Sequence, residues 1–148
     1  MTEPSTWTLP RLRIDRDGAW YHDDAEVTHA GILANLRDNL RVDDSGHYLQ
    51  IGPVRVPVEV EDAPFVVERV EVDGEALTVT LNDLSRERLA LDSLRVDDRG
   101  VPRGRVKGGR FAARLSRAAT YQLLQHVEAG GDGPVLVLGR RRHVVPGL

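Results

Sequence analysis

Valines at positions 54, 56, 58 and 60 alternate with Arg55, Pro57, Glu59 and Glu61. One face is apolar and the other polar, the pattern of a half-buried strand. Pro57 has no N–H to give, which predicts an edge strand or a bulge. The alternation stops at Glu61-Asp62-Ala63-Pro64, where Pro64 holds Ala63 extended. Phe65 then opens an apolar run that continues through Val66, Val67, Val70 and Val72. The chain is expected to turn a corner at Glu61 and Asp62, beside a buried aromatic.

The rest of the chain reads as short strands with two helices. Residues 12–17 and 19–22 predict a hairpin across Asp17-Gly18. Thr28 is a candidate N-cap for a helix over residues 29–39. Its stripe of Ile32, Leu33, Leu36 and Leu40 predicts packing on a sheet. Residues 40–43 and 47–51 predict two strands. Residues 66–72 and 77–81 predict a hairpin across Asp73-Gly74, and residues 82–88 a polar connection. Residues 101–107 predict a strand and Gly108-Gly109 a turn. A helix is expected over residues 111–128, with Leu115, Ala119, Leu123 and Val127 on one face and Gly130-Gly131 ending it. Residues 135–138 predict a buried strand that pairs with residues 142–145. The phrase Leu-Arg-[Ile/Val]-Asp-x-x-Gly occurs at Leu12, Leu40 and Leu94. It is either an echo of duplicated units or one turn solution reached three times.

Composition narrows the setting. A chain of 148 residues suits one domain, or two small lobes sharing a core. There is no cysteine, which excludes a thiol nucleophile and thiolate metal ligands and fits a reducing, cytoplasmic setting. The polar N-terminus has no apolar signal region, and no apolar run approaches the roughly 20 residues that span a bilayer, so no membrane partner is expected. The net charge of −3 conceals a polarity. Residues 1–74 hold 7 Lys/Arg against 15 Asp/Glu, and residues 75–148 hold 13 against 8. Such asymmetry suggests two halves with different electrostatic roles, or halves that dock on each other.

Candidate chemistry follows from these two halves. Glu61 and Asp62 either cap a bend, as such side chains commonly do, or form a preorganised acidic pair facing a ligand. Arg103, Arg105 and Lys107 alternate, so they project from one strand face, and Arg110, Arg114 and Arg117 follow. Such a row either holds a phosphate-bearing ligand or forms a solvated face that discourages strand pairing. No aromatic interleaves the basic strand, and the chain is acidic overall, which disfavours nucleic acid. The Asp-Gly turns lack the acids of a calcium loop. The five histidines show no metal-ligand spacing, so no metal is expected. No phosphate loop, nucleophile elbow or cofactor motif is present, so no cofactor and no catalytic residue is assigned. Whether the chain is an enzyme is left open, with a binding role preferred.

Three phrases together resemble a bacterial family, the domain of unknown function 1285 family. They are Ile14-Asp15-Arg16-Asp17-Gly18-Ala19-Trp20-Tyr21-His22, then Val60-Glu61-Asp62-Ala63-Pro64-Phe65, then Ala113-Arg114-Leu115-Ser116-Arg117 leading to Tyr121-Gln122-Leu123-Leu124. The resemblance spans residues 12–146. It implies an α+β protein of two similar lobes, each an antiparallel sheet with one packed helix, the second superficially pleckstrin-homology-like. Residues 1–11 would be a flexible arm, 12–62 the first lobe and 63–148 the second. The resemblance also implies a small anionic, nucleotide-like ligand bound between the lobes in signal transduction. The resemblance puts Glu61 and Asp62 near the lobe interface, and together with Phe65 and the basic residues Arg103, Arg105 and Arg110, expected to flank the same cleft, they are the candidate ligand-binding residues. The alternative is a protein–protein adaptor that uses the basic C-terminal face. The sequence departs from the family pattern at Arg55 and in the final hairpin around Gly139.

Overall fold

The computed structural model describes residues 10–148. The expected arm falls outside them except for Pro10 and Arg11, and so does Trp7. The chain divides into two compact units, Met1–Asp62 and Ala63–Leu148. Among the described residues, no helix is long and apolar enough to cross a membrane.

The first unit contains strands β1 (Leu12–Ile14), β2 (Trp20–His22) and β3 (Ala25–Glu26), helix α1 (Ala30–Asp38), and strands β4 (Leu40–Asp43), β5 (Gly46–Ile51) and β6 (Val54–Val60). They form one sheet in the order β3-β2-β1-β6-β5-β4. β1 and β6 pair in parallel and every other pairing is antiparallel. Alternation buries Leu12, Ile14, Trp20, Leu40, Leu49, Val56 and Val58 on one face.

The second unit begins with β7 (Phe65–Asp73), β8 (Ala76–Leu81) and β9 (Arg86–Arg88), followed by a 3₁₀ turn (Leu91–Ser93). Next come β10 (Arg95–Val96), β11 (Pro102–Val106), β12 (Phe111–Leu115) and helix α2 (Arg117–Leu124). The chain ends in β13 (Val127–Gly130), β14 (Gly133–Leu138) and β15 (Arg141–His143). The larger sheet runs β10-β11-β12-β7-β8-β9, with β12 parallel to β7, and β13-β14-β15 form a second, antiparallel sheet. Val96 N–H donates to Pro146 O at 2.8 Å, so the C-terminal segment borders the edge strand β10.

Counted from one to six within its unit, each large sheet has the same order, third-second-first-sixth-fifth-fourth, and in each the first and sixth strands are the parallel pair. The α+β class and the two similar lobes are therefore present. The sheets are mixed rather than antiparallel, because β1 with β6 and β12 with β7 run the same way. The helices are not equivalent either. α1 joins the third and fourth strands, where the second unit has only the 3₁₀ turn, and α2 follows the sixth strand.

Several elements differ from the sequence expectation. α1 buries no residue, and Ile32 is 51% exposed; its stripe is half-buried at Leu33 and Leu36 instead of packed. Its N-cap is His29, not Thr28, since the His29 Nδ1 accepts the N–H groups of Gly31 (3.1 Å) and Ile32 (3.3 Å). Pro57 lies in a central strand. It is tolerated because the β1 ladder begins only at Val58, so at Pro57 the strand is paired on one side alone.

The largest change is at residues 111–128. The expected single helix is a strand, a helix and another strand. Phe111, Ala113 and Leu115 are buried while Ala112 and Arg114 are half-buried, a two-residue period satisfied by pairing with β7 and β11. Ala119 and Leu123 are the buried face of the short helix that remains. Val127 lies in β13, and the turn beyond Gly130 belongs to the β13–β14 hairpin, with positive φ at Gly133. Part of the expected polar connection is β9, because Arg86, Glu87 and Arg88 extend the ladder of β8.

Candidate functional site

The acidic corner is built from strand ends. Where β6 finishes, Glu61 N–H donates to Ile14 O at 2.9 Å and continues the β1 pairing by one residue. The Glu61 carboxylate then accepts the Arg13 guanidinium at 3.1 Å and Arg16 N–H at 3.0 Å. Arg13 also lies over the Tyr21 ring, 4.3 Å from its centre. Glu61 thus ties the β1–β2 turn to the end of β6. Asp62 is exposed and also has an interaction partner. Phe65, the first residue of β7, is 1% exposed, with its ring centre 5.5 Å from that of Phe111. It is a core aromatic of the second unit.

The basic row lies on β11 and the turn that follows. Arg103 and Arg105 occupy the outer face of the strand, as alternation predicts. Arg103 Nε donates to Asp97 Oδ2 at 2.8 Å. This bond, with the N–H groups of Val101 and Arg99, lowers the Asp97 carboxyl to about 2. Arg105 donates to the carbonyls of Gly109 and Arg110. Arg110 donates to Lys107 O at 3.0 Å, with its guanidinium 5.5 Å from the Phe111 ring centre. Lys107 reaches Asp83 Oδ2 at 2.6 Å and Ser85 Oγ at 3.0 Å. Burial raises Asp83, but its hydrogen bonds to Lys107 and Ser85 outweigh this, so its pKa is lowered overall. Arg103, Arg105 and Arg110 each hold a local partner in the second unit.

Another arrangement brings Arg114 and Arg117 together. β12 delivers Arg114 and Leu115 to the end of the sheet. Ser116 caps α2, its Oγ accepting Ala119 N–H at 3.1 Å, which makes Arg117 the first helical residue. With Gly100 and Val101 from the β10–β11 turn, and with Thr120 and Tyr121, these residues line a hollow of about 280 Å³. Among the described residues, the Arg117 side chain makes no hydrogen bond or ion pair. α2 has no acidic residue in its first turn. An arginine at the positive end of a helix is unfavourable by roughly 0.3–1 kcal/mol unless an anion is near. Tyr121 is 63% exposed, one turn further along.

The sequence named Arg114 and Arg117 as members of a basic row but placed both on one long helix. The signal that separates them is Ser116, an N-cap residue type immediately before Arg117-Ala118-Ala119.

Neither a family model nor a curated protein matches the chain. Two solved structures do. One is a DUF1285 family protein from Silicibacter pomeroyi, with a TM-score of 0.77 and 22% sequence identity, covering 99% of this chain and 88% of that one. The other is a DUF1285 family protein from Shewanella baltica, with a TM-score of 0.67 and 19% identity, covering 78% of this chain and 91% of that one. The fold of this chain is thus that of bacterial DUF1285 family proteins, the family that its sequence phrases resemble.

Proposed function

We propose that this chain is a cytoplasmic regulatory module that binds a small anionic, nucleotide-like ligand, and that the anion contacts lie in the hollow at the start of α2. The observation that carries this reading is the Arg117 side chain, which has no hydrogen-bond or ion-pair partner among the described residues and lines the same hollow as Arg114, a residue engaged elsewhere. A phosphate there would take bidentate hydrogen bonds and be stabilised by the positive end of the helix dipole. The exposed Tyr121 ring offers a flat base a stacking face.

A thermal-shift screen against nucleotides, cyclic dinucleotides and phosphorylated metabolites tests this. A ligand at a hundredfold excess over its Kd adds about 2.7 kcal/mol to stability, roughly 5–15 °C for a chain of this size. One chemical class should raise the midpoint, and Arg117→Glu should remove the rise while itself raising the unliganded midpoint by a few degrees, since it puts an anion in place of a cation at the positive end of α2. A rise that survives Arg117→Glu would put the ligand elsewhere.

A second reading is the adaptor, favoured by the face of α2 that carries Arg117, Tyr121 and Leu124. Tyr121 and Leu124 are 63% and 44% exposed, and Tyr and Arg are the residue types that dominate binding hot spots. A flat ligand screen with salt-dependent capture of an acidic protein, lost in Tyr121→Ala, would favour it.

A further inference from the structure

We propose that a second hollow in the Ala63–Leu148 unit, separate from the one beside α2, is a site for a free α-amino acid with an apolar side chain. Its volume is about 270 Å³, and it is lined by Glu75, Ala76, Arg88, Leu89, Ala90, Leu91, Asp92 and Arg141. Three turns meet around it, and two contacts fix them. Gly139 has φ +59, and a Cβ on it would stand 2.8 Å from Gly74 O, so only glycine lets the β14–β15 turn reach the β7–β8 turn. His143 Nε2 lies 3.1 Å from Leu91 O and ties β15 to the 3₁₀ turn. Walls held this way need little ordering when a ligand arrives.

The lining chemistry selects the ligand. Ala76, Leu89, Ala90 and Leu91 supply apolar surface, and Leu89 and Leu91 are buried. Around them stand two guanidiniums, Arg88 and Arg141, and two carboxylates, Glu75 and Asp92. Among the described residues, none of these four side chains makes a hydrogen bond or ion pair. Elsewhere in the unit, opposite charges find each other: Arg103 with Asp97, Lys107 with Asp83 and Arg86 with Glu71. In this hollow residues of both charges are among the lining without pairing. A simple anion would be attracted by the guanidiniums but repelled by the carboxylates, and a simple cation the reverse, so neither gains from all four. The complementary ligand carries both charges on one short backbone and an apolar group beside them. The volume agrees, since it lies below the roughly 300–1,000 Å³ of sites for drug-sized ligands.

The test is a ¹H–¹⁵N NMR titration of the whole chain with L-leucine, N-acetyl-leucine and leucine methyl ester. The two analogues lack the ammonium and the carboxylate respectively. Leucine should shift the amides of Glu75, Ala76, Ala90, Asp92 and Arg141 saturably. Each analogue should bind at least about tenfold more weakly, because one set of charge-assisted hydrogen bonds is gone. R88Q/R141Q and E75Q/D92N should each abolish the response, and R117A, in the other hollow, should keep it. All eight lining residues except Leu89 and Leu91 are at least partly exposed, and a well-dispersed spectrum of each variant would report that it still folds. No saturable shift with leucine would overturn the proposal. So would equal responses to leucine and N-acetyl-leucine, which would make the hollow a mere apolar or anion-accepting dent.

Discussion

Asp97 illustrates how one side chain sets a turn here. Its Oδ1 accepts the N–H groups of Arg99 and Val101, and its Oδ2 accepts Arg103. Asp15 and Asp43 do the same in their own turns, accepting Asp17 and Ala19 N–H, and Ser45 N–H and Oγ. The phrase Leu-Arg-[Ile/Val]-Asp-x-x-Gly is thus a turn device in which aspartate bonds the backbone two residues on. The Asp97 carboxyl is lowered to about 2 by Arg103 first, and that of Asp43 to about 2 by the Ser45 hydroxyl first and Arg55 next. A folded-state pKa below the ordinary 3.8 means stability that is complete above about pH 4 and is lost as pH falls through about 2. Asp97→Asn should therefore lower the melting midpoint at neutral pH, and its gap from the wild type should close as pH falls from about 4 to about 2. A gap that stays constant over that range would show that Asp97 acts by shape alone. Glu61 is argued at the same scale. Glu61→Ala strips acceptors from Arg13 and Arg16 N–H at a half-exposed site, a loss of about 1 kcal/mol. Denaturant titration checks the cost. If the corner is structural, the variant keeps ligand affinity; lost affinity with unchanged stability would return Glu61 to the binding site.

At the scale of elements, the strands were legible because their two-residue alternation is local and strong. Residues 54–60 and 76–81 read directly from the valines and from the Leu77, Val79 and Leu81 series. The failure at residues 111–128 has a definite cause. Leu115, Ala119, Leu123 and Val127 fall at spacing four, but only Ala119 and Leu123 share a helix. Phe111, Ala113 and Leu115 carry a period of two over only five residues, too short to outweigh the longer pattern. The parallel pairing with β7 that decides the matter joins residues about 48 positions apart, such as Ala113 and Phe65, and single-sequence patterns do not show it. The hollow beside α2 was hidden by the same error, since it exists only where strand gives way to helix at Ser116. The short helix is held by more than its apolar face. The β7–β8 ladder shifts register between Val67 and Arg69, and Gln122 Oε1 accepts the Val70 N–H at 2.9 Å. Gln122→Ala leaves that buried N–H without its acceptor, at a cost of about 1–3 kcal/mol. Amide hydrogen exchange should show lost protection at Val70 first. If protection there is unchanged, Gln122 contributes nothing to the bulge.

At the scale of the molecule, the repeated strand order is the strongest regularity, and it clarifies the recurring phrase. The copies at Leu40 and Leu94 both border the fourth strand of their unit, β4 and β10, while the copy at Leu12 lies on a first strand. The same aspartate turn is made in all three copies, so turn chemistry accounts for the phrase wherever it stands in the strand order. The two units do not bury equal cores. The first has 62 residues and a helix with no buried side chain, a size at which a single core is marginal. The second adds α2, which buries Ala119 and Leu123, and a further sheet that buries Leu136 and Leu138. All strands of its sheets come from its own residues. Expressed alone, Ala63–Leu148 should therefore melt cooperatively with native-like chemical shifts, and Leu123→Ala within it should cost about 2–5 kcal/mol by opening a cavity. Met1–Asp62 expressed alone should melt lower and less sharply. Circular dichroism of the two fragments decides this. If the first fragment were the more stable, or if Leu123→Ala cost nothing, the added helix and sheet would not be what stabilises the second unit.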